Sequence, residues 1–220
     1  VDFSTEAIPH MGLVDTDLTG ALAGVRVRII RLTFSGELAY EVYAPTHHGN
    51  LIWEHLLEQG KPWNLRPYGL EALGSLRIEK GHVVGSEMDG RTTLDDMGMG
   101  KMASKLKPFW GDALRRSDNL ARTDRPTLVG LEPAEEGATP SNGAILFFAD
   151  DAIKGHGRGH ITSTTYSQSL GKAIGLGLLQ GGTSRIGQVV IAASPVQGRQ
   201  YRLKVVDPCF LDAEGERYRG

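Results

Sequence analysis

The sequence predicts an α+β fold: an antiparallel sheet with helices on one face, followed by a small carboxy-terminal β-barrel. Three observations carry that prediction. Residues 25–43 hold two strand-period runs separated by a Ser-Gly break. Two helix-period runs follow between residues 48 and 81. Beyond residue 125, short apolar runs recur with Gly, Pro and Asn between them, the pattern of a closed or sandwich-like barrel. The change of composition near residues 105–125 divides the chain into an α+β domain at 1–105, a connector at 106–125 and a barrel domain at 126–220.

Each element has a local reason. Val25–Thr33 reads V-R-V-R-I-I-R-L-T, with Val25, Val27 and Ile29 alternating with Arg26, Arg28 and Ile30, the period of a half-buried strand. Ser35-Gly36 interrupts the run, and Leu38–Tyr43 resumes it, so the two strands are expected to pair as a hairpin. Tyr40 and Val42 fall on one face of the second strand and Glu41 and Tyr43 on the other. Pro45 stops that strand. His48–Gln59 spaces Leu51, Ile52, His55 and Leu56 as a helix, with Gly60 as its expected C-cap. Tyr68–Lys80 places Leu70, Leu73, Leu76, Arg77 and Lys80 at steps of three and four, and Gly81 ends it. Pro108–Ser117 predicts one short helix in the connector. The barrel strands are expected at 127–131, 144–148, 159–165, 173–179, 188–192 and 200–206, with Asn142-Gly143 as a turn.

Composition excludes several functions. The chain has 220 residues and a formal net charge of −2, which offers no field suited to nucleic acid. No run of about 18 apolar residues is present, so no membrane span is expected. The basic residues Lys101, Lys105, Lys107, Arg115 and Arg116 read as a solvated helix face. The single cysteine, Cys209, allows no intrachain disulfide; it reads as a small buried side chain and fits a reducing, cytoplasmic setting.

Several chemistries are absent from the pattern. Gly155 and Gly157 begin a dinucleotide-type glycine run, but His160 occupies the third glycine position; Gly175 and Gly177 begin another, which Gln180 breaks. Neither opens a helix, so no flavin or NAD site is expected in this chain. The histidine pairs His47/His48 and His156/His160 gain no further ligands at metal spacing, so no metal is expected. Ser163 has no nucleophile elbow. Asp89, Asp95 and Asp96 cluster after the second helix and read as solvated turn formers.

Three segments stand out: Phe34-Ser35-Gly36-Glu37-Leu38-Ala39-Tyr40-Glu41; Tyr68–Leu73 running on through Leu76-Arg77-Ile78-Glu79-Lys80-Gly81; and Gly159–Ser163 with Ser169–Leu176. Together they resemble the aminomethyltransferase family, which includes the T-protein of the glycine cleavage system. Further stretches, among them Asp2–Ala7, Asp89-Gly90-Arg91-Thr92-Thr93 and Val206-Asp207-Pro208 to Gly215-Glu216-Arg217, are similar to the sarcosine oxidase alpha-subunit branch. The resemblance implies part of a tetrahydrofolate-dependent one-carbon transfer module. Its parent would oxidise sarcosine to glycine, 5,10-methylenetetrahydrofolate and hydrogen peroxide in company with the other subunits. It also implies that the first half of the module, with the family's catalytic aspartate, lies upstream of these residues; this chain alone is therefore expected to be inactive, with no catalytic residue of its own. Two alternatives are a stand-alone T-protein-like aminomethyltransferase and a non-catalytic interaction domain that keeps the fold.

The resemblance assigns folate-binding roles to Glu41, Arg77 and Phe34. Glu41 matches the family carboxylate that binds the pterin ring; a carboxylate can accept two parallel N–H bonds from an aminopyrimidinone edge. Arg77 matches a family arginine facing the folate, with a structural ion pair to Glu71 or Glu41 as the alternative. Phe34 stands where several relatives carry tyrosine.

Overall fold

The computed structural model describes residues 2–219, which form two compact units. One comprises the chain up to Leu76 together with the segment from Asp212; the other is Arg77–Leu211.

The first unit is built on a three-stranded antiparallel meander: β1 (Leu13–Asp17), β2 (Arg26–Ile30) and β3 (Glu41–Tyr43), in that order. The hairpin predicted from residues 25–43 is β2–β3, with an irregular connection over residues 31–40 in place of a tight turn. One face of the sheet carries the core, where Val27 and Ile29 pack with Ile8, Leu22, Val25 and Ile52. Ile52 comes from α1 (Gly49–Gly60), which covers that face. Gly60 does not cap this helix: it is buried inside it, and the chain continues through a 3-10 turn to Asn64, whose φ of 57° ends the run. Asparagine tolerates that left-handed conformation.

Arg31 ties the two ends of this unit together. It is 2% exposed. Its Nη1 donates to Thr5 Oγ1 (3.0 Å) and the Ile8 carbonyl (3.3 Å), while its Nη2 donates to the carbonyls of Tyr218 (3.2 Å) and Arg219 (2.5 Å) in α4 (Glu216–Arg219). Arg217 pairs with Glu37 at 2.8 Å.

The second unit is a closed six-stranded barrel in the order β4-β7-β6-β5-β8-β9, with β9 pairing back onto β4. The strands are β4 (Pro126–Pro133), β5 (Ile145–Phe148), β6 (Gly159–Ser167), β7 (Lys172–Gln180), β8 (Val189–Ser194) and β9 (Arg199–Val206). The expected α+β sheet and the expected barrel are therefore both present. Val129, Leu131, Leu146, Ile161, Leu179 and Leu203 fill the barrel interior. Strand β7 is buried on both faces, which explains its near-continuous apolar run. Its outward residues Ile174, Leu176 and Leu178 form a second cluster with Ile78 and Leu128, against which Val83, Leu170 and Phe210 pack. Gly177 faces inward, where a Cβ would come within 3.1 Å of Leu131; packing inside the barrel thus accounts for this glycine.

The second unit begins with the last turn of α2 (Leu70–Lys80), the part of that helix that is buried. Leu70, at its start, is exposed. Gly81 ends α2 with φ +77°, and a Cβ there would meet the Pro208 carbonyl at 2.5 Å. Only glycine permits both the turn and that close approach. In the connector, the predicted helix is a single turn, α3 (Asp112–Arg115), so the expected solvated helix face is not continuous.

Candidate functional site

The face of the β1–β2–β3 sheet opposite the core is open. Antiparallel register sets Leu13, Ile30 and Glu41 in one row and Asp15, Arg28 and Tyr43 in the next row on the same face. A depression of about 440 Å³ is lined by Leu13, Asp15, Arg28, Ile30 and Tyr43 among others. Glu41 is half-buried beside it, and its Oε2 accepts a short hydrogen bond from the Tyr43 hydroxyl.

The sequence builds this face from strand alternation. Tyr40 turns inward to pack on the core and donates its hydroxyl to the Phe3 carbonyl at 3.0 Å, so Glu41 must face the other way. Val42 shares the inward side with its partner Ile29 but remains exposed, because β3 is an edge strand with nothing paired beyond it among the described residues. Asp15 and Arg28 sit directly opposite each other, and two bonds of 2.7 and 2.9 Å join them. The Arg28 guanidinium holds the Asp15 carboxyl below its usual range, and Asp15 raises Arg28 in return. The hydrogen bond to Glu41, then the Glu41 charge, pushes the Tyr43 phenol above its ordinary value. The face thus offers an apolar floor, two ion pairs, Asp15–Arg28 and the looser Asp17–Arg26 at 3.5 Å, and one carboxylate fixed by a phenol.

Phe34 lies in the connection before β3 and is partly exposed. Around it, Thr33 Oγ1 accepts the Gly36 N–H at 3.0 Å and Ser35 Oγ accepts the Glu37 N–H at 3.3 Å, which shape the loop. Strand β1, and with it Leu13 and Asp15, is not apparent from hydrophobic pattern. The available signal is charge: Asp15 and Asp17 lie opposite Arg28 and Arg26.

Arg77 belongs to the second unit and is bonded to three partners there. Its Nη1 lies 3.2 Å from Glu87 Oε2 and 3.2 Å from the His82 carbonyl, and its Nη2 donates to Ser163 Oγ at 2.6 Å. The ion-pair partner is Glu87, not the expected Glu71 or Glu41. Ser163 also donates to Glu87 Oε1 at 2.6 Å, and the Val84 N–H donates to Oε2 at 2.9 Å. A β-bulge between Ile161 and Ser163 makes this possible. It turns Ser163 to the outer face of the barrel, alongside its partner Leu176, where regular alternation would point it inward. Two residues on, Glu79 accepts from Ser167 at 2.5 Å and Ser169 at 3.3 Å. The second and third resembling motifs are therefore the two sides of one contact. Asp96 is a further correction: it is buried against Arg125 at 2.6 Å, not a solvated turn residue, whereas Asp89 and Asp95 pair with Arg91 and Arg115 near the surface.

Comparison with known proteins fits this architecture. The GCVT N-terminal domain model matches residues 1–107, and the glycine cleavage T-protein C-terminal barrel domain model matches residues 127–212. The chain belongs to the glycine cleavage T-protein family. Its relatives include the sarcosine oxidase subunit alpha of Corynebacterium sp. (strain P-1), 40% identical over the whole of this chain and 23% of that protein. The sarcosine oxidase subunit alpha of Rhizobium meliloti (strain 1021) is 38% identical over 98% of this chain and 22% of its own length. The aminomethyltransferase of Bacillus subtilis (strain 168) is 33% identical over 77% of this chain and 46% of its own. The chain thus spans less than a quarter of the sarcosine oxidase relatives. The crystal structure of the glycine cleavage system aminomethyltransferase T from Bartonella henselae shares the fold, with a TM-score of 0.76 at 22% identity over 98% of this chain and 55% of that one. The resemblance to the T-protein family and its sarcosine oxidase branch is borne out. None of the helices among the described residues is long and apolar enough to cross a membrane.

Proposed function

We propose that this chain is part of the tetrahydrofolate-dependent one-carbon transfer module of a sarcosine oxidase alpha subunit. The parent would convert sarcosine to glycine, 5,10-methylenetetrahydrofolate and hydrogen peroxide in the cytoplasm. The observation that carries the reading is Glu41: a carboxylate on an open sheet face, with no ion pair among the described residues, beside an apolar floor. It is supported by 38–40% identity to sarcosine oxidase alpha subunits over essentially the whole chain.

The residues present fit a pterin ring. Glu41 would accept N–H bonds from its aminopyrimidinone edge, and Leu13 and Ile30 would lie under its flat, weakly polar body. The Tyr43 hydroxyl fixes the carboxylate's orientation, so less side-chain freedom is lost on binding. Asp15 and Arg28 satisfy each other and leave the Glu41 side chain as the acceptor facing the ring. Phe34 would contribute apolar contact where a tyrosine would add a hydroxyl. Tetrahydrofolate supplies the nitrogens that receive the one-carbon unit; these residues bind and orient it. The amine is open to variation: the 4-methylaminobutanoate oxidase (formaldehyde-forming) of Paenarthrobacter nicotinovorans is 32% identical over 87% of this chain.

Calorimetric titration of tetrahydrofolate into the full-length gene product, beside a peroxide assay of this chain alone with sarcosine, tests the reading. Folate binding by the full-length protein and no peroxide from the chain are expected. A full-length protein that ignores folate, or peroxide from the isolated chain, would overturn it.

A further inference from the structure

Within the second unit, residues 99–116 place large apolar side chains in water. Leu106 is 99% exposed and Trp110 fully so, and Met102 and Leu114 are also exposed. Phe109, Trp110, Ala113 and Leu114 line a shallow apolar hollow of about 550 Å³ with Pro108. The same stretch carries five basic residues against one acidic, in a chain whose net charge is −2. Arg115 and Arg116 are spoken for by Asp95 and Asp112. Lys101, Lys105 and Lys107 are exposed, and no carboxylate pairs with them among the described residues.

The exposure is presented by a shaped backbone. Ser104 Oγ accepts the N–H groups of Leu106 and Lys107 at 3.2 Å each. The Asp112 N–H bonds back to the Phe109 carbonyl at 3.1 Å, and the Arg115 N–H to the Gly111 carbonyl at 2.9 Å. Arg115 grips both oxygens of Asp95 at 2.9 Å, fixing the end of the stretch to the rest of the unit. Exposed Trp, Met and Leu on a fixed backbone are what the centre of a protein interface is made of, and charge at its rim selects the partner.

We infer that residues 99–116 are a docking surface for an acidic face of another protein subunit, in which Leu106 and Trp110 enter an apolar recess and Lys101, Lys105 and Lys107 meet carboxylates around it. The charge complementarity commits the partner to an acidic rim. Lys105 and Lys107 flank Leu106 directly, so burying Leu106 in a bilayer core would carry two ammonium groups with it. The one α-helix here among the described residues, α3, has four residues, and the 3-10 turn at Gly100–Met102 has three, so neither offers an amphipathic face for a membrane. That the 38–40% identical relatives are each named as subunit alpha is consistent with a partner chain. The inference rests on the sarcosine oxidase reading for the identity of that partner.

The test is co-expression of the full-length gene product with the other subunits of its enzyme, with assembly followed by sedimentation. Leu106→Ser with Trp110→Ser, and separately Lys105→Glu with Lys107→Glu, should each weaken assembly at least tenfold at physiological salt. The wild-type complex should loosen as salt rises, and the lysine variant should show a flatter salt dependence. Melting temperatures of both variants of this chain should stay near wild type, because the altered side chains are solvent-exposed in it; Leu106→Gln alone serves as a milder variant if the double change does not fold. Unchanged assembly in folded variants overturns the inference, as does a wild-type protein that binds no subunit. Binding of the wild type to vesicles of phosphatidylglycerol and phosphatidylcholine, lost in the same variants, would assign the surface to lipid and overturn it too. Folate titration of the same preparations reports separately on the proposed function.

Discussion

The Arg77 guanidinium lies 3.2 Å from the Glu87 carboxylate, and Glu87 is wholly buried. With Ser163 between them, the pair fastens the last turn of α2 and the loop after it to the outside of strand β6. Removing one partner strands the other as a buried charge, which costs about 3–5 kcal/mol. Arg77→Met should therefore lower the unfolding free energy by that order in a urea melt. A folate role for Arg77 would need donors beyond those this network uses. Stability near wild type with folate affinity lost in the full-length protein would show Arg77 to be a ligand contact instead.

The same pair should make the second unit acid-sensitive. Burial pushes the Glu87 carboxyl up, but the hydrogen bonds from Ser163 and the Val84 N–H and the charge of Arg77 outweigh it, and the net shift is downward. A depressed folded-state value means the stabilisation is complete above the unfolded carboxyl range and is lost as pH falls through the lower folded value. Glu87→Gln should flatten that part of the profile of melting temperature against pH. An unaltered acid limb in the variant would remove Glu87 as its source.

Arg31 predicts coupling between the chain's two ends. Its four acceptors are Thr5 and the carbonyls of Ile8, Tyr218 and Arg219. Arg31→Met leaves those groups without their donor, at about 1–3 kcal/mol for each one that water cannot reach. Hydrogen exchange should speed up together over residues 4–11 and 213–219. Faster exchange at one end alone would contradict the clamp.

The connector should be the first site of tryptic attack. We propose residues 106–125 as the division between domains, with cleavage expected after Lys105 or Arg116. The nicked halves should nevertheless stay together on a native gel, because Arg77, Ile78 and Glu79 are bonded and packed to the barrel across that cut. Rapid cleavage within 25–43 or 159–179 would contradict the division.

Legibility in the sequence followed how local each interaction is. The six barrel strands are readable because alternation and turn residues such as Asn142-Gly143 are local signals; the observed ends lie within two residues of the expected ones. Strand β1 is not, since Leu13-Val14-Asp15-Thr16-Asp17 has two apolar residues and gains its register only from β2. A C-cap glycine and a glycine buried beneath a side chain look alike in sequence; at Gly60 an added Cβ would come within 2.5 Å of the Leu65 Cβ. The Arg77–Glu87–Ser163 network depends on a bulge and on partners 76 and 86 residues apart along the chain, which no period reveals. Glu41 was placed on the open face by alternation alone, but a folate role for it came only from family resemblance.

Glu41 carries the account's central claim, and one paired measurement tests it. Glu41→Gln keeps the shape and removes the charge. On this chain it should change the unfolding free energy by no more than about 0.5 kcal/mol, as at a surface site, since Glu41 is bonded only to the neighbouring Tyr43 hydroxyl among the described residues. In the full-length protein the same change should cost about 1.5–3 kcal/mol of tetrahydrofolate binding, the range for a hydrogen bond to a charged group. A thermal melt of the chain set beside a folate titration of the full-length protein gives both numbers. Little loss of stability with a ten- to hundred-fold weaker titration, as those energies imply, is the predicted result. A large loss of stability with unchanged folate affinity would show Glu41 to be a structural residue and contradict the assignment.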